Sequence, residues 1–218
     1  MELFLESLPP LFLAAIKVSI PLAIISFILG LVMAVITALA RLSKSKVLNG
    51  IFGFYVWIFR GTPLLVQLFI VFYGLPSAGL SLDVWTCAII AFSLNVGAYA
   101  SESVRAAILS VPKGQIEAAL SLNMSKTQIF SYIVAPQAFR IAIPPLSNSF
   151  IALVKDTSLA ASITMVDMFM VAQRIAARTY EPLLLYVEVA LIYLFICTIL
   201  SGVQVLLEKR FSAHLKVS

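Results

Sequence analysis

The run Leu183–Leu207 contains a single charged residue, Glu188, in an otherwise apolar stretch. A bilayer span needs about 20 predominantly apolar residues, so this segment is long enough to cross a membrane. It is not alone. Leu11–Ala40 is a second such run, with Pro21 as an expected kink and Lys17 placed to snorkel outward. In chain order Leu11–Ala40 is the first span, Ile51–Leu75, interrupted at Arg60-Gly61-Thr62-Pro63, the second, and Trp85–Ala107, polar towards its end with Glu102 and Arg105, the third. Ala138–Lys155 is shorter and holds Arg140, Pro144 and Pro145; it is counted because the last helix would otherwise run the wrong way. The fold class expected is an all-α integral membrane domain over residues 1–218 with about five transmembrane helices. Composition agrees: 61% of residues are hydrophobic and 11% charged, where a soluble domain is near half apolar and a quarter charged.

The charges set a direction. Arg41, Lys44 and Lys46 follow the first span, Lys113 and Lys126 flank a polar interruption after the third, and Lys209, Arg210 and Lys216 end the chain. Five spans with the N-terminus outside put all three groups on one face, which the positive-inside rule makes cytoplasmic. Glu2, Glu6 and Asp83 then fall outside. The net charge of +5 therefore reflects membrane topology and gives no reason to expect nucleic acid. Glu2 and Glu6 precede the first apolar run where a basic n-region would stand, so no cleaved signal peptide is expected. Cys87 and Cys197 lie within apolar runs, and His214 has no ligand-type neighbours at metal spacing, so neither a disulfide framework nor a metal site is expected.

The polar interruption, about residues 110–131, is a cytoplasmic loop in this topology. Gln115–Leu122 has helix-forming residues with Ile116, Ala119 and Leu120 on one side and Glu117 and Ser121 more polar. A turn is expected at Asn123-Met124, and Ser125-Lys126-Thr127-Gln128 reads as a capping box opening the next helix. Such a helix–turn–helix is either a plain solvated loop or a projecting knob that docks something.

Charged and polar groups within spans cost about 2.5–3.5 kcal/mol each near the middle, so each asks for a reason. Glu102 and Arg105 are three apart and either neutralise one another or, for Glu102, face a solute path. Pro63 frees a carbonyl in the preceding turn, which Thr62 can help satisfy; Arg60, Gly61, Thr62 and Pro63 are thus a helix break and a candidate hinge. Leu146–Ala160 is rich in polar groups. Lys155 and Asp156 offer opposite charges to a zwitterion, with Asn148, Thr157 and Ser158 as hydrogen-bond partners; the alternative is that both charges are merely solvated at the outer surface. Asn95, midway along the third span, either lines the path or fastens helices together.

Glu117-Ala118-Ala119, Asn123 and Ile133-Val134-Ala135-Pro136 resemble the EAA signature of permease subunits in bacterial ATP-binding cassette importers. That pattern runs Glu-Ala-Ala, three residues, Gly, nine residues, Ile-x-Leu-Pro. Asn123 replaces Gly but is the best non-Gly residue for a left-handed turn, and Ala135 replaces Leu. Phe59–Leu68, Ala98–Ala119 and Ile133–Ala160 together resemble the permeases for polar amino acids, and among these the cystine-transport permeases.

The resemblance implies a type I importer fold in the bacterial inner membrane. Its partners would be a second permease chain (a homodimer is the expectation), a cytoplasmic ATP-binding subunit holding ATP and Mg, and an extracytoplasmic amino-acid-binding protein. It makes the polar loop a coupling helix, with Gly114, Glu117, Ala118, Ala119 and Asn123 at the ATPase contact and the alanines small enough for close approach. The chain has no Gly-x-x-x-x-Gly-Lys-Ser/Thr phosphate loop, so no cofactor or ATPase site of its own is expected. Two rivals stand beside this reading. An ion-coupled secondary transporter or channel would use Glu102, Asp156 and Glu188; a membrane enzyme would want paired catalytic groups that one peripheral His does not supply.

Overall fold

The computed structural model describes residues 2–212, and its regular structure is helical. In chain order the helices are α1 (Glu2–Leu42), α2 (Lys46–Gly61), α3 (Leu64–Ser77), α4 (Val84–Leu109), α5 (Lys113–Ser121), α6 (Lys126–Ile163), α7 (Met168–Thr179) and α8 (Pro182–Phe211). Among these, α1, α4, α6 and α8 are each long and apolar enough to span a membrane, and α2 with α3 makes a fifth span broken by a 109° bend. All five expected spans are present. Two are longer than their apolar cores: α1 starts at Glu2 and α6 at Lys126, because helices run on to their caps beyond the greasy stretch. His214 and Lys216 lie outside the described residues.

Prolines shape the spans in two ways. Ala15–Ser19, Ile70–Gly74 and Phe130–Val134 are single π-helical turns, each ending two residues before a proline, namely Pro21, Pro76 and Pro136. A proline offers no N–H and its ring collides with the carbonyl four residues back; widening the preceding turn makes room and lets the helix continue. The disturbance expected at Pro21 takes this form. Pro63 acts differently, because Thr62 before it is extended (φ −123°, ψ 147°), and a residue preceding proline is pushed to that region. There the helix stops.

The central contact is between α1 and α4. A Cβ built on Gly30 would lie 2.2 Å from Val96 Cγ1 and 3.1 Å from the Ser93 carbonyl oxygen, and one on Gly97 would lie 2.9 Å from the Tyr55 hydroxyl and 3.1 Å from the Gly30 carbonyl oxygen. The two glycines let the backbones touch. Lipid is as apolar as leucine, so such packing between small residues, and not apolar burial alone, holds spans together. Around it lie Leu22, Ala23, Phe92, Val96, Leu153 and Val154. A second cluster joins Leu11 and Ala15 of α1 to Met168 and Ala172 of α7 and to Leu185 and Val189 of α8. Outward from these, Leu191, Leu194, Phe195 and Ile199 of α8 are exposed and suit a lipid solvent. Asp83 caps α4, accepting from Thr86 N at 3.1 Å and from the Thr86 hydroxyl. The Thr86 hydroxyl, then the backbone N–H groups, hold its carboxyl below the ordinary range.

Candidate functional site

The break between α2 and α3 leaves carbonyls without helical donors, since Pro63 has no N–H and Thr62 has left the helix. Thr62 donates its hydroxyl to Ile58 O at 2.8 Å. The carbonyl that Pro63 frees is Phe59 O, and it is met by another residue: Gln67 Nε2 donates to Phe59 O at 2.9 Å, to Thr62 O at 3.0 Å and to Thr62 Oγ1 at 2.8 Å. Asn95 Nδ2 of α4 donates to Gln67 Oε1 at 2.9 Å. Gln67 is thus a buried polar tie that fixes the bend and joins it to α4. It was not among the expected site residues. The signal for it was present: an amide one turn past a proline break is a donor placed where orphan carbonyls must be.

Beside this tie lies a cavity of about 330 Å³, lined among others by Thr62 and Pro63 from the break, Asn95 and Tyr99 from α4, and Ser149 and Asp156 from α6. Three elements that are far apart in sequence therefore converge, and the polar groups at the cavity are an amide, three hydroxyls and one carboxyl. Arg60 is not among the lining residues, but its guanidinium lies 5.4 Å, a cation–π distance, from the centre of the ring of Tyr99, which is one of them. Asn95 answers to both readings offered for it, since it fastens Gln67 and lines the cavity.

The remaining expected residues are placed elsewhere. Lys155 and Asn148 are exposed and are not among the residues that line this cavity, whereas Asp156 lines it. Helical geometry explains this: neighbours in sequence point about 100° apart. Thr157 is fully buried, with its hydroxyl given to Val154 O at 2.7 Å, and Ser158 gives its hydroxyl to Lys155 O at 2.8 Å. Glu102 is held in ion pairs and does not line this cavity. Arg105 Nη2 donates to it at 2.8 Å, as the three-residue spacing suggested, and Arg41 of α1 takes the other oxygen. Arg41 had been read only as a topology charge. Glu188 is buried and accepts from Ser7 Oγ at 2.6 Å, a tie between α1 and α8.

The polar loop has the expected form: α5, then Asn123 with φ +56°, then a capping box in which Gln128 N donates to Ser125 Oγ at 3.3 Å and Ser125 N to Gln128 Oε1 at 2.8 Å. Its faces differ from the expectation. Ala119 is buried against Val111, Ile129 and Val134 and forms the loop's own small core, so it cannot itself be the contact surface. Leu120, expected on the side of Ile116 and Ala119, is instead half exposed, and Leu122 is 77% exposed. Gly114, Glu117 and Ala118 are exposed as a contact requires.

Residues 26–213 match the family model described as binding-protein-dependent transport system inner membrane component. The chain is 51% identical to the L-cystine transport system permease protein TcyB of Bacillus subtilis, over 98% of this chain and 92% of that protein. It is 40% identical to the nopaline transport system permease protein NocM of Agrobacterium fabrum, over 99% and 93% respectively. Among solved structures, an amino acid ABC transporter crystallised with histidines is similar at TM-score 0.89 and 32% identity, covering 95% of this chain and 97% of that one. The MetNI methionine ABC transporter, at 17% identity and TM-score 0.68 over 95% and 94% of the two chains, shares the fold.

Proposed function

This chain belongs to the family of binding-protein-dependent transport system inner membrane components, and from that premise we propose that it moves L-cystine through the cavity between the α2–α3 break, α4 and α6. It is a multi-pass inner-membrane permease of an ATP-binding cassette importer for polar amino acids, and not itself an enzyme. The observation that carries the site is the convergence of Thr62, Asn95, Tyr99, Ser149 and Asp156 on one cavity of about 330 Å³, a size at the small end of ligand pockets. The Asp156 carboxylate suits an ammonium group, and the Arg60 guanidinium beside Tyr99 suits a carboxylate. Similarity to the TcyB permease supports cystine among the polar amino acids.

Residues 1–218 act as one permease domain with the N-terminus outside, and the loop at 110–131 faces the cytoplasm. Two copies of the chain form the pathway, a cytoplasmic ATPase pair holding ATP and Mg docks on the two loops, and an extracytoplasmic binding protein delivers the solute. Glu117 and Ala118 with Leu120 and Leu122 form the docking surface, while Ala119 and Asn123 shape the loop that presents them. Closure of the ATPase pair draws the loops together, and α6, which starts at the loop's capping box and carries Asp156, transmits that motion to the cavity.

Uptake of radiolabelled cystine into proteoliposomes, with glutamine, histidine and arginine as unlabelled competitors, tests the substrate. Cystine uptake blocked only by cystine is expected. Uptake of a competitor in its place would keep the importer and discard cystine.

A further inference from the structure

A second cavity, about 600 Å³ in volume, opens between α1, α6 and α8. Its walls are Phe27, Ile28, Phe139, Ile143, Phe150 and Leu207 with further aliphatic groups, and the polar side chains among its lining are Ser147 and Gln204. On α6 this stripe lies about 100° round the helix from the one that carries Ser149, Leu153 and Asp156, so the groove and the polar cavity occupy different flanks. Along α8 it runs from Leu200 to Phe211, roughly 16 Å at 1.5 Å per residue. Half of a hydrocarbon core of about 30 Å is nearly the same length. The groove is therefore about as long as one leaflet is thick.

The end marked by Phe139 and Phe211 is the basic end of the bundle. Phe139 and Phe211 meet there edge to face with ring centres 5.9 Å apart, and the next residues along the chain on either side are Arg140 and Arg210, with Lys209 beyond. All three cations are exposed, and neither arginine has an ion pair among the described residues. The carboxylate at this end, Glu208, accepts from Gln204 Nε2 at 2.8 Å.

We propose that this groove binds an anionic phospholipid, with one acyl chain between α1, α6 and α8 and the headgroup phosphate held by Arg140 and Arg210. A second copy of the chain fits the site poorly, because two basic mouths brought together would repel. A zwitterionic lipid would leave the excess positive charge at the mouth unanswered.

The full chain, purified in detergent, is offered equal amounts of phosphatidylglycerol and phosphatidylcholine, and the retained lipid is read by native mass spectrometry. The readout is independent of transport, so it stands or falls apart from the importer reading. Preferential retention of phosphatidylglycerol is expected. Arg140→Gln and Arg210→Gln, both at exposed positions, should each lower that preference about fivefold, and Ile143→Trp should lower retention of both lipids by filling the groove. Equal retention of the two lipids by the unaltered chain, or a preference unchanged in the double arginine variant, would overturn the proposal. So would efficient cross-linking of Ile143→Cys between two copies, which would give the groove to a protein interface.

Discussion

Asn95 on α4 donates an amide hydrogen to Gln67 Oε1 across 2.9 Å, and the same Gln67 side chain satisfies the carbonyls of Phe59 and Thr62 where the chain bends by 109°. This bond, with a longer one of 3.5 Å from Asn95 Nδ2 to Phe59 O, joins the sharp break to the wall of the polar cavity. A bend supported this way is held in a defined position.

Removing that support has a definite cost. Gln67→Leu removes a donor shared by the part-buried carbonyls of Phe59 and Thr62, and Asn95→Leu leaves the buried Gln67 Oε1 without its donor; each should destabilise the chain by about 1–3 kcal/mol. Because the two share one network, the double variant should lose less than the sum. Equilibrium unfolding in mixed micelles measures all three.

Asp156 and Lys155 are adjacent yet should behave differently. Asp156→Asn removes the one carboxylate at the cavity and should lower uptake by about 10- to 100-fold, the range expected for a lost charge-assisted hydrogen bond. Lys155→Gln changes an exposed side chain outside the cavity and should leave uptake near that of the unaltered chain. Initial rates of uptake at limiting substrate distinguish them.

The two kinds of apolar residue in the 110–131 loop also separate. Ala119→Arg should lower folded yield, since the buried site between Val111, Ile129 and Val134 has no space or partner for a guanidinium. Leu122→Asp, at an exposed position, should leave yield intact while ATP hydrolysis continues without matching uptake. Parallel assays of yield, hydrolysis and uptake check both; unimpaired uptake in Leu122→Asp would remove this residue from the docking surface.

At the α1–α4 contact, Gly30→Ala drives a methyl group to 2.2 Å from Val96 Cγ1 and should cost about 1–3 kcal/mol by overpacking. Adding Val96→Ala removes the colliding methyl and should restore part of the loss. Recovery stays partial because the Ser93 carbonyl oxygen is only 3.1 Å away and cannot be trimmed.

Much of this arrangement was legible in the sequence. The spans announce themselves by apolar length, the Pro63 break by its Arg-Gly-Thr-Pro string, and the loop by Asn123 and the Ser125–Gln128 box, all of which are local signals. Site membership was harder, because it depends on which way a side chain points in a folded bundle. Asp156 and Lys155 look equivalent in a polar string but face different surroundings. Glu102 found Arg41, a residue sixty-one positions away that no spacing rule connects to it. Ala119 belongs to the signature motif, yet its smallness serves the loop's own packing. The π turns before Pro21, Pro76 and Pro136 show the converse: a proline marks where a helix is disturbed, while tertiary context decides whether it bends, widens or stops.

The most direct test is the energy source. Proteoliposomes holding this chain with its ATPase and binding-protein partners are assayed for cystine uptake, once with internal ATP and collapsed ion gradients, and once with imposed gradients and no ATP. Uptake in the first condition and none in the second is expected of an importer permease. Uptake that follows the ion gradient without ATP would contradict it and make Asp156 part of an ion-coupled path.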